Sequence, residues 1–405
     1  MRYVGLDVHK RSVRVCGIDS FGRKAFEANV ACTRDDLLTF ARRQLHEDDQ
    51  VVMEATTNVW ALAELIRPHV GRVVISNPLR TKAIAQAKIK TDKIDAEVLA
   101  QLLRCDYLPD VWEPDGATQR LRQLTTVLSS LMDDRTRINN RIQSLLASRL
   151  IHCPYATLFA KRSIAWLRSL DLNPDDRRMI DCQLRLLEAM DRELKQVDQQ
   201  LQCLAHDEPK ARLLMTLPGV SHASALTLLG ALGDIHRFRD GDHAASYLGL
   251  APSTRQSAQR CYHGSITKAG NPHARWMLTQ GVQHLARHPG PLGAFFRRIA
   301  RRKRRPVAVT ATARKLVTIA YLMLKHNEPY RYAVPDTLHR KFNRLRKTAG
   351  ETPGRRCADL ADTCRHAGLP SPLRFDELPA GERRVLAETG TEGFARQVSG
   401  RDDTA

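Results

Sequence analysis

Four acidic residues stand where an isolated carboxylate would be costly. Asp7 lies in the alternating segment GLDVHK, and Glu54 ends the apolar run VVMEAT. Asp92 and Asp95 lie three residues apart in KIKTDKIDAEVLAQLL, whose apolar residues have helical spacing, so both project from one helix face. Because a carboxylate in an apolar strand is expensive unless it is paired or metal-bound, we predict that these four acids are catalytic and bind metal.

The metal ion that fits such a site is Mg²⁺, which binds carboxylate oxygens and leaves positions open for phosphate oxygens. Two such ions, roughly 4 Å apart, hold the attacking and leaving oxygens of an in-line phosphoryl transfer, so we expect activity to require Mg²⁺ or Mn²⁺. Singly, each acid has a simpler interpretation: Asp7 at an exposed sheet edge, or Asp95 in a weak surface ion pair with Lys88 or Lys93. The four together favour the metal site.

Residues 249–271 (GLAPSTRQSAQRCYHGSITKAGN) form a second candidate reactive segment, rich in hydroxyls and cations and without a carboxylate. An unassisted serine is a poor nucleophile at neutral pH, and His263 is only a weak candidate base, so activation has to come from outside the segment. Cations such as Arg255, Arg260 and Lys268 would offset the charge on a phosphate. We predict a loop here, either an inert surface loop or a catalytic one.

The formal net charge of +20, with an isoelectric point of about 9.9, favours an anionic partner. Nucleic acid is the commonest such partner, because neutralising phosphates releases counterions, and the alternative is a merely basic soluble protein. Residues 295–306 (FFRRIARRKRRP) are densely cationic and contain no acid. The residues predicted to bind nucleic acid are Arg255, Arg260, Lys268, Arg275, Arg297, Arg298, Arg301, Arg302, Lys303, Arg304 and Arg305.

The nine cysteines are scattered and form no Cys-x-x-Cys pair, which leaves zinc ribbons and thioredoxin-like redox sites unsupported. An odd number of unclustered cysteines suits a reducing cytosol. The sequence shows no apolar signal core, and we expect no segment long enough to span a membrane. We therefore predict a cytoplasmic protein.

The first third of the sequence alternates between strand and helix patterns. Strands are predicted within 2–18, at 49–56 and at 72–78, with helices at 34–45 and 58–69. Hairpin strands followed by alternating helices make a mixed α/β sheet, and this order resembles the ribonuclease H and RuvC-like nuclease fold. We assign residues 1–112 to this domain.

Leucine and isoleucine stripes with a period near 3.5 follow at 121–145 and 187–204. Joined through a proline-containing segment at 151–179, they predict an antiparallel coiled-coil arm within 113–210. The alternative is two amphipathic helices packed on a domain. We expect the arm to pair protomers.

Residues 211–330 are predicted to form a mostly helical domain. Within it, 214–234 reads as helix, Pro-Gly turn, helix, like a helix-hairpin-helix whose turn amides hold a phosphate, although a hairpin without ligand has the same pattern. A last amphipathic helix is predicted at 309–330. Residues 331–405 are predicted to be a loosely packed, basic and flexible extension.

The motifs GLDVHK, VMEAT and KTDKIDAEVLAQLL, followed by LPGVSHASALTLLGALGDIHRF, YLGLAPSTRQSA and GSITKAGNPHARWML, carry a family resemblance. In content and order they resemble the transposases of a large bacterial insertion-sequence family with a DEDD catalytic tetrad. These are bridge-RNA-guided recombinases related to Piv-type DNA invertases. The resemblance covers residues 1 to about 330, with 211–330 as the transposase domain that carries the catalytic serine, and leaves the extension outside. It also implies a bacterial protein that associates with the nucleoid when it acts.

The resemblance implies site residues and partners. The tetrad falls on Asp7, Glu54, Asp92 and Asp95. The catalytic serine follows a Gly-Leu-x-Pro turn and falls by spacing on Ser257, with Ser253 as the competing serine. The family commonly has glycine after that serine, where this sequence has Ala258.

The same resemblance implies a guide RNA that pairs with double-stranded donor and target DNA, so that base pairing reads sequence while the protein reads backbone and shape. It also implies homodimers or homotetramers, in which the serine could come from another subunit. We therefore predict a Mg²⁺-dependent recombinase that cleaves and rejoins DNA through a phosphoserine link.

Two other function classes remain open. A structure-specific, Holliday-junction-type endonuclease would use the same acids and Mg²⁺ with water as nucleophile, and the acids alone do not separate the two. The GLAPSTRQS segment favours the recombinase. A non-catalytic nucleic-acid scaffold is disfavoured by the intact set of four acids.

Overall fold

A computed structural model of the protein describes residues 1–84, 92–257, 260–354, 357 and 359–399. They fall into two compact units, Met1–Pro114 and Asp115–Ala405. Lys88, Thr91 and Ala258 lie outside the described residues.

The strands of the first unit are β1 (Tyr3–Val8), β2 (Ser12–Ile18), β3 (Lys24–Ala31), β4 (Gln50–Glu54) and β5 (Arg72–Ser76). They form a five-stranded sheet in the order β3-β2-β1-β4-β5. The outer pairs β3–β2 and β2–β1 are antiparallel, whereas β1–β4 and β4–β5 are parallel. The mixed α/β sheet is therefore confirmed, with β3 as a strand that the sequence pattern did not reveal.

Helices cover both faces of this sheet. Its helices are α1 (Arg34–Gln44), α2 (Val59–Ile66), α3 (Pro78–Ile84) and α4 (Asp92–Arg104). Val4 and Leu6 pack in one core with residues of α1 and α2, while Val52 packs in another with Leu99 of α4. Since strand side chains alternate between faces, each residue of β1 and β4 can be assigned to one of these layers.

A long helical hairpin opens the second unit. Its helices are α5 (Gly116–Ser148), α6 (Lys161–Ser169) and α7 (Pro174–Asp207). Arg135 contacts Asp191 and Arg149 contacts Asp176, so α5 and α7 run antiparallel, as predicted. The segment predicted as a linker, 151–179, instead contains α6 and the beginning of α7.

The stripes of the hairpin are largely buried within the chain. Near the base, Leu128 and Leu201 belong to the main core of the unit, and near the tip a separate core gathers Ile142, Leu167 and Leu184. The alternative interpretation, amphipathic helices packed on a domain, therefore describes the base of the hairpin. The pairing of protomers through the arm stays a prediction.

The remainder of the unit is helical except for one hairpin. Its elements are α8 (Pro209–Met215), α9 (His222–Leu232), α10 (Gly241–Tyr247), β6 (Pro252–Ser257), β7 (Arg260–Ile266), α11 (Pro272–Leu285), α12 (Pro291–Arg302) and α13 (Arg305–His326). The predicted helix–turn–helix and last helix are both present. Contrary to the expectation, α13 is long and apolar enough to cross a membrane, but half of that window is buried, and Ala313 and Leu316 lie in the core.

The extension is not loosely packed, and that prediction is wrong. Its helices are α14 (Pro335–Thr348), α15 (Leu360–His366), α16 (Ala380–Glu388) and α17 (Glu392–Ser399). Leu338, Phe342, Leu360 and Leu386 are all at most 6% exposed and belong to the main core of the second unit. Burial of this apolar surface holds the extension in place despite its many charges.

Candidate functional site

Three of the predicted acids lie on the α4 side of the sheet. Asp7 follows Leu6 in β1, and Glu54 follows Met53 in β4, and Leu6 and Met53 are register partners on adjacent parallel strands. Leu6 and Met53 both pack in the core beneath α1 and α2, so their successors Asp7 and Glu54 point to the opposite face. Two acids from distant segments thus lie side by side on the face that α4 covers.

Helix α4 approaches β1 unusually closely, because position 5 is glycine. A Cβ atom on Gly5 would lie 2.0 Å from the carbonyl oxygen of Ala96 and 2.9 Å from the amide nitrogen of Ala100. Asp95 precedes Ala96, so this backbone contact sets the distance between Asp95 and the sheet face that carries Asp7. Asp92 begins α4, and its side chain lies outside the described part of the structure.

The surroundings of these acids are polar and partly open. The Asp7 carboxylate, 21% exposed, lies 3.0 Å from the Nε2 atom of His9, and Glu54 and Asp95 are also partly buried. A sheet-edge location for Asp7 is excluded, because β1 is the central strand of five. Oxygen-only donors on a rigid sheet suit a hard divalent cation, and the metal role of the tetrad stays a prediction.

Residues 252–266 form a β-hairpin and not the predicted loop. Strands β6 and β7 pair antiparallel, and Ser257 is the last residue of β6, opposite Arg260. Neighbouring residues such as Gln256 and Tyr262 are exposed, the latter by 62%. The backbone therefore carries Ser257 at the solvent-facing end of a ribbon, while the side chains of Arg255, Ser257, Arg260 and His263 lie outside the described part.

The base of the hairpin is fixed by Arg275. Its guanidinium donates to the carbonyl oxygens of Leu248, at 3.1 Å, and Ala269, on the two flanks of the hairpin. Burial lowers the pKa of this group, which marks it as partly withdrawn from water. These contacts favour a positioning role for Arg275 over the predicted phosphate contact. Lys268, beside this anchor, is exposed and has a left-handed φ of 55°.

Arg297 makes a similar structural contact, whereas its neighbours face water. Its guanidinium donates to the carbonyl oxygens of Ala286 and His288, at 3.2 and 2.8 Å, just after α11 ends. The remaining predicted cations of this region are exposed, and we refer to them as the basic run. The basic run comprises Arg298, Arg301, Arg302, Lys303, Arg304 and Arg305.

A buried lysine of the extension was missed by sequence reasoning. The Lys341 ammonium, on α14, donates to the carbonyl oxygens of Met215, Leu217 and Val220, at 2.7, 3.2 and 2.8 Å. These carbonyls belong to the turn between α8 and α9, and burial lowers the pKa of Lys341 to about 8.

A faint sequence signal for this burial exists. Lys341 follows Leu338 by three residues and precedes Leu345 by four, so it lies on the apolar face of its helix. The Pro-Gly turn that was predicted to hold a phosphate is therefore bound on its carbonyl side by a residue of the same chain.

Comparison with known proteins agrees with this arrangement. A DEDD transposase model of IS110 elements, described as a transposase, matches residues 4–150, and a model of the transposase IS116/IS110/IS902 family matches residues 211–297. These matches place the chain in the IS110/IS116 family of transposases. The first match contains all four acids, and the second contains the hairpin with Ser257.

Curated relatives of this transposase align over most of both chains. The transposase of insertion sequence element IS1111A from Coxiella burnetii is 24% identical over 343 residues, covering 82% of this chain and 92% of the relative. The pilin gene-inverting protein of Moraxella bovis is 26% identical over 347 residues, covering 81% and 97%. The 44.8 kDa protein of insertion element IS116 from Streptomyces clavuligerus is 24% identical over 394 residues, covering 83% and 97%.

The family makes this transposase a DNA-processing enzyme that binds DNA, and DEDD transposase domains generally bind divalent metal ions. Transposition and inversion are both recombination reactions.

Proposed function

We propose that this transposase is a Mg²⁺-dependent recombinase that cleaves and rejoins DNA through a covalent link to Ser257. The observation that carries the proposal is that Asp7 and Glu54, from distant segments, lie side by side on the sheet face covered by α4, the helix that carries Asp95. Carboxylates brought together there would repel one another unless cations were bound, which supports a metal role for the acids.

The acids fit the proposed metal in donor chemistry. Asp7, Glu54, Asp92 and Asp95 would hold it, since carboxylate oxygens suit Mg²⁺ and none of the four offers a soft ligand. When bound, the ions would offset phosphate charge and favour loss of the serine proton. The contribution of the protein is to set the distance of Asp95 from the sheet, through the contact between Gly5 and α4.

Ser257 is proposed to attack a backbone phosphorus of DNA, with a deoxyribose hydroxyl as the leaving group. The product is a phosphodiester between serine and DNA, which keeps the energy of the broken bond for rejoining. The position of Ser257 at the end of an exposed, rigidly anchored hairpin supports this role, because a nucleophile needs both access and fixed orientation. Lys268 and the basic run would contact phosphates.

The same proposal includes a guide RNA that pairs with donor and target DNA, in the bacterial cytoplasm. This part of the proposal rests on the resemblance and on the net charge of +20, which favours a polyanionic partner such as nucleic acid. Aromatic residues make up only 5% of the sequence, and most of the described ones are buried or partly buried, so we expect the RNA to be bound through phosphates and shape more than through stacked bases. RNA should accompany the protein when it is purified from cells.

The decisive experiment is to quench the reaction with denaturant, using DNA that carries the ends of the insertion element, and to look for protein attached covalently to DNA. Ser257→Ala should abolish the adduct, whereas Ser253→Ala, on the same strand and exposed, should keep it. Asp95→Asn should abolish adduct and cleavage while leaving the fold intact. An adduct formed at full yield by Ser257→Ala would overturn the role of the serine.

The endonuclease alternative keeps the acids and replaces the serine with water. The DEDD designation of the first domain favours it, since the RuvC-like fold commonly uses that chemistry. In that case Ser257→Ala still cleaves and leaves a free 5′ phosphate without adduct. The two functions are thus separated by one variant and one end-group measurement.

A further inference from the structure

Three potential metal ligands of different chemistry meet along one side of α15 in the extension. Cys357, Asp362 and His366 each place one ligand atom within 4.8 Å of the other two. They are spaced Cys-x₄-Asp-x₃-His, so Asp362 and His366 share one side of α15 and Cys357 comes from the chain that precedes it. The cluster lies outside both segments matched by the transposase family models.

The distances within the cluster are those of a coordination sphere. The Nδ1 atom of His366 lies 3.2 Å from the carboxylate Oδ1 of Asp362. Two ligands on a tetrahedral zinc with bonds of about 2.0–2.1 Å are roughly 3.3 Å apart. Without an ion, Nδ1–H donates to the main-chain oxygen of Asp362, at 2.9 Å, which holds the ring in place, and metal binding through Nδ1 requires the tautomer that is protonated at Nε2. The helix itself therefore orients the imidazole before any ion binds.

Burial makes the cluster a formed site. Cys357 is 9% exposed, and the side chains of Asp362 and His366 are 14% and 33% exposed. Asp362 also pairs with Arg365, whose guanidinium lies 3.6 Å from the carboxylate and is itself 66% exposed. Its ion pair with the carboxylate is weak at that exposure and can yield to a metal ion.

We propose that Cys357, Asp362 and His366 bind a Zn²⁺ ion that is separate from the Mg²⁺ of the acidic tetrad. A thiolate and an imidazole are typical zinc ligands, whereas Mg²⁺ takes oxygen ligands, so the two sites select different ions. Binding displaces the thiol proton of Cys357 to solvent and forms the zinc–sulfur bond in its place. Water fills the fourth position.

The role of the ion is to tie the segment before α15 to the core of the second unit. The other side of α15 buries Leu360 and Cys364, and the main-chain oxygen of His366 accepts a hydrogen bond from Arg346 on α14. The zinc would therefore brace the contact between α15 and α14, the helix that carries Lys341.

The test uses the full-length, untagged protein and Co²⁺ alone as a spectroscopic probe for Zn²⁺. We expect one equivalent to produce a thiolate-to-cobalt charge-transfer band, and added Zn²⁺ to displace it. Cobalt held by the acidic tetrad gives no such band, because those ligands are oxygens. The result is therefore independent of whether the recombinase proposal holds.

Variants define the ligands. Cys357→Ser should remove the band, and His366→Ala should weaken binding beyond the roughly 10- to 100-fold loss typical of residues outside the coordination sphere. The control is Cys182→Ser, an exposed cysteine on α7, which should bind as the wild type does. Circular dichroism without metal checks that each variant folds. A wild-type protein without the band, or a band that survives Cys357→Ser, would refute the site.

Discussion

The close contact between β1 and α4 predicts a strong effect of one added methyl group. In Gly5→Ala the new carbon would lie 2.0 Å from the Ala96 oxygen, whereas real contacts of this kind essentially never fall under 3.0 Å. The obstructing atoms are backbone, so α4 has to move away from the sheet by about 1 Å, and a misplacement of that size can cost about 100-fold in rate. Overpacking should also destabilise the first unit by about 1–3 kcal/mol.

Both effects can be measured on the same preparation. The rate of DNA cleavage should fall by about 100-fold, and the melting temperature should fall by roughly 4–8 °C per kcal/mol lost. Gly381→Ala is the matched control, because a Cβ atom there meets nothing within 4 Å. If Gly5→Ala cleaves DNA within about threefold of the wild-type rate, the Gly5 contact does not set the position of Asp95, and our reasoning on the geometry of the acids fails.

Three further predictions concern the second unit. Because burial lowers the pKa of Lys341 from 10.5 to about 8, the unfolded chain binds the extra proton between these values, and this group makes stability rise with pH across that window. In urea unfolding, Lys341→Met should remove that pH dependence and lower the free energy of unfolding by about 1–3 kcal/mol, because the carbonyl groups lose their donor. A pH profile of stability identical to that of the wild type would contradict this. Leu128→Ala should lower the free energy of unfolding by about 2–5 kcal/mol, whereas Val127→Ala, at a position that is 46% exposed, should change it by no more than about 0.5 kcal/mol. A larger effect of Val127→Ala is expected only if the arm pairs protomers, which sedimentation would reveal. Loss of four phosphate contacts should reduce the salt slope of nucleic-acid binding by up to about 3.6, and an unaltered slope would exclude the basic run from the interface. The four substitutions, each to alanine, are at Arg301, Arg302, Arg304 and Arg305.

The sequence was most informative where apolar periodicity is strong. Alternating runs predicted β1 and β2, short apolar runs predicted β4 and β5, and the leucine stripes predicted α5 and α7, because burial dictates the residue type at each position. Strand β3 was not predicted: Phe26, Ala28 and Val30 alternate in KAFEANVA but are only partly buried, and the intervening Glu27 and Asn29 are uncommon in strands.

Elements without a buried face could not be predicted in the same way. The described side chains of β6 and β7 are exposed apart from Ile266, and the sequence between the strands, Ala258-Gln259, has none of the Asn-Gly or Asp-Gly signals of a tight turn. The tertiary roles of Arg275 and Lys341 depend on carbonyl groups elsewhere in the chain, and no local pattern encodes such a partner. A cation count alone therefore overstates the nucleic-acid surface, since Arg275 and Arg297 bind the protein itself.

The large sequence separation between Lys341 and its carbonyl partners has a consequence for the order in which the parts of this protein fold. Its carbonyl partner on Met215 lies 126 residues earlier in the chain, and Thr348, also on α14, hydrogen-bonds Gln202 across 146 residues. Contacts of such sequence separation close late, because the loop entropy is spent before the contact forms. A nascent chain that has left the ribosome only as far as α13 thus holds a turn whose carbonyls still await their donor. The competent recombination unit is completed only after α14 has been synthesised, which makes the extension a maturation step for the domain that precedes it.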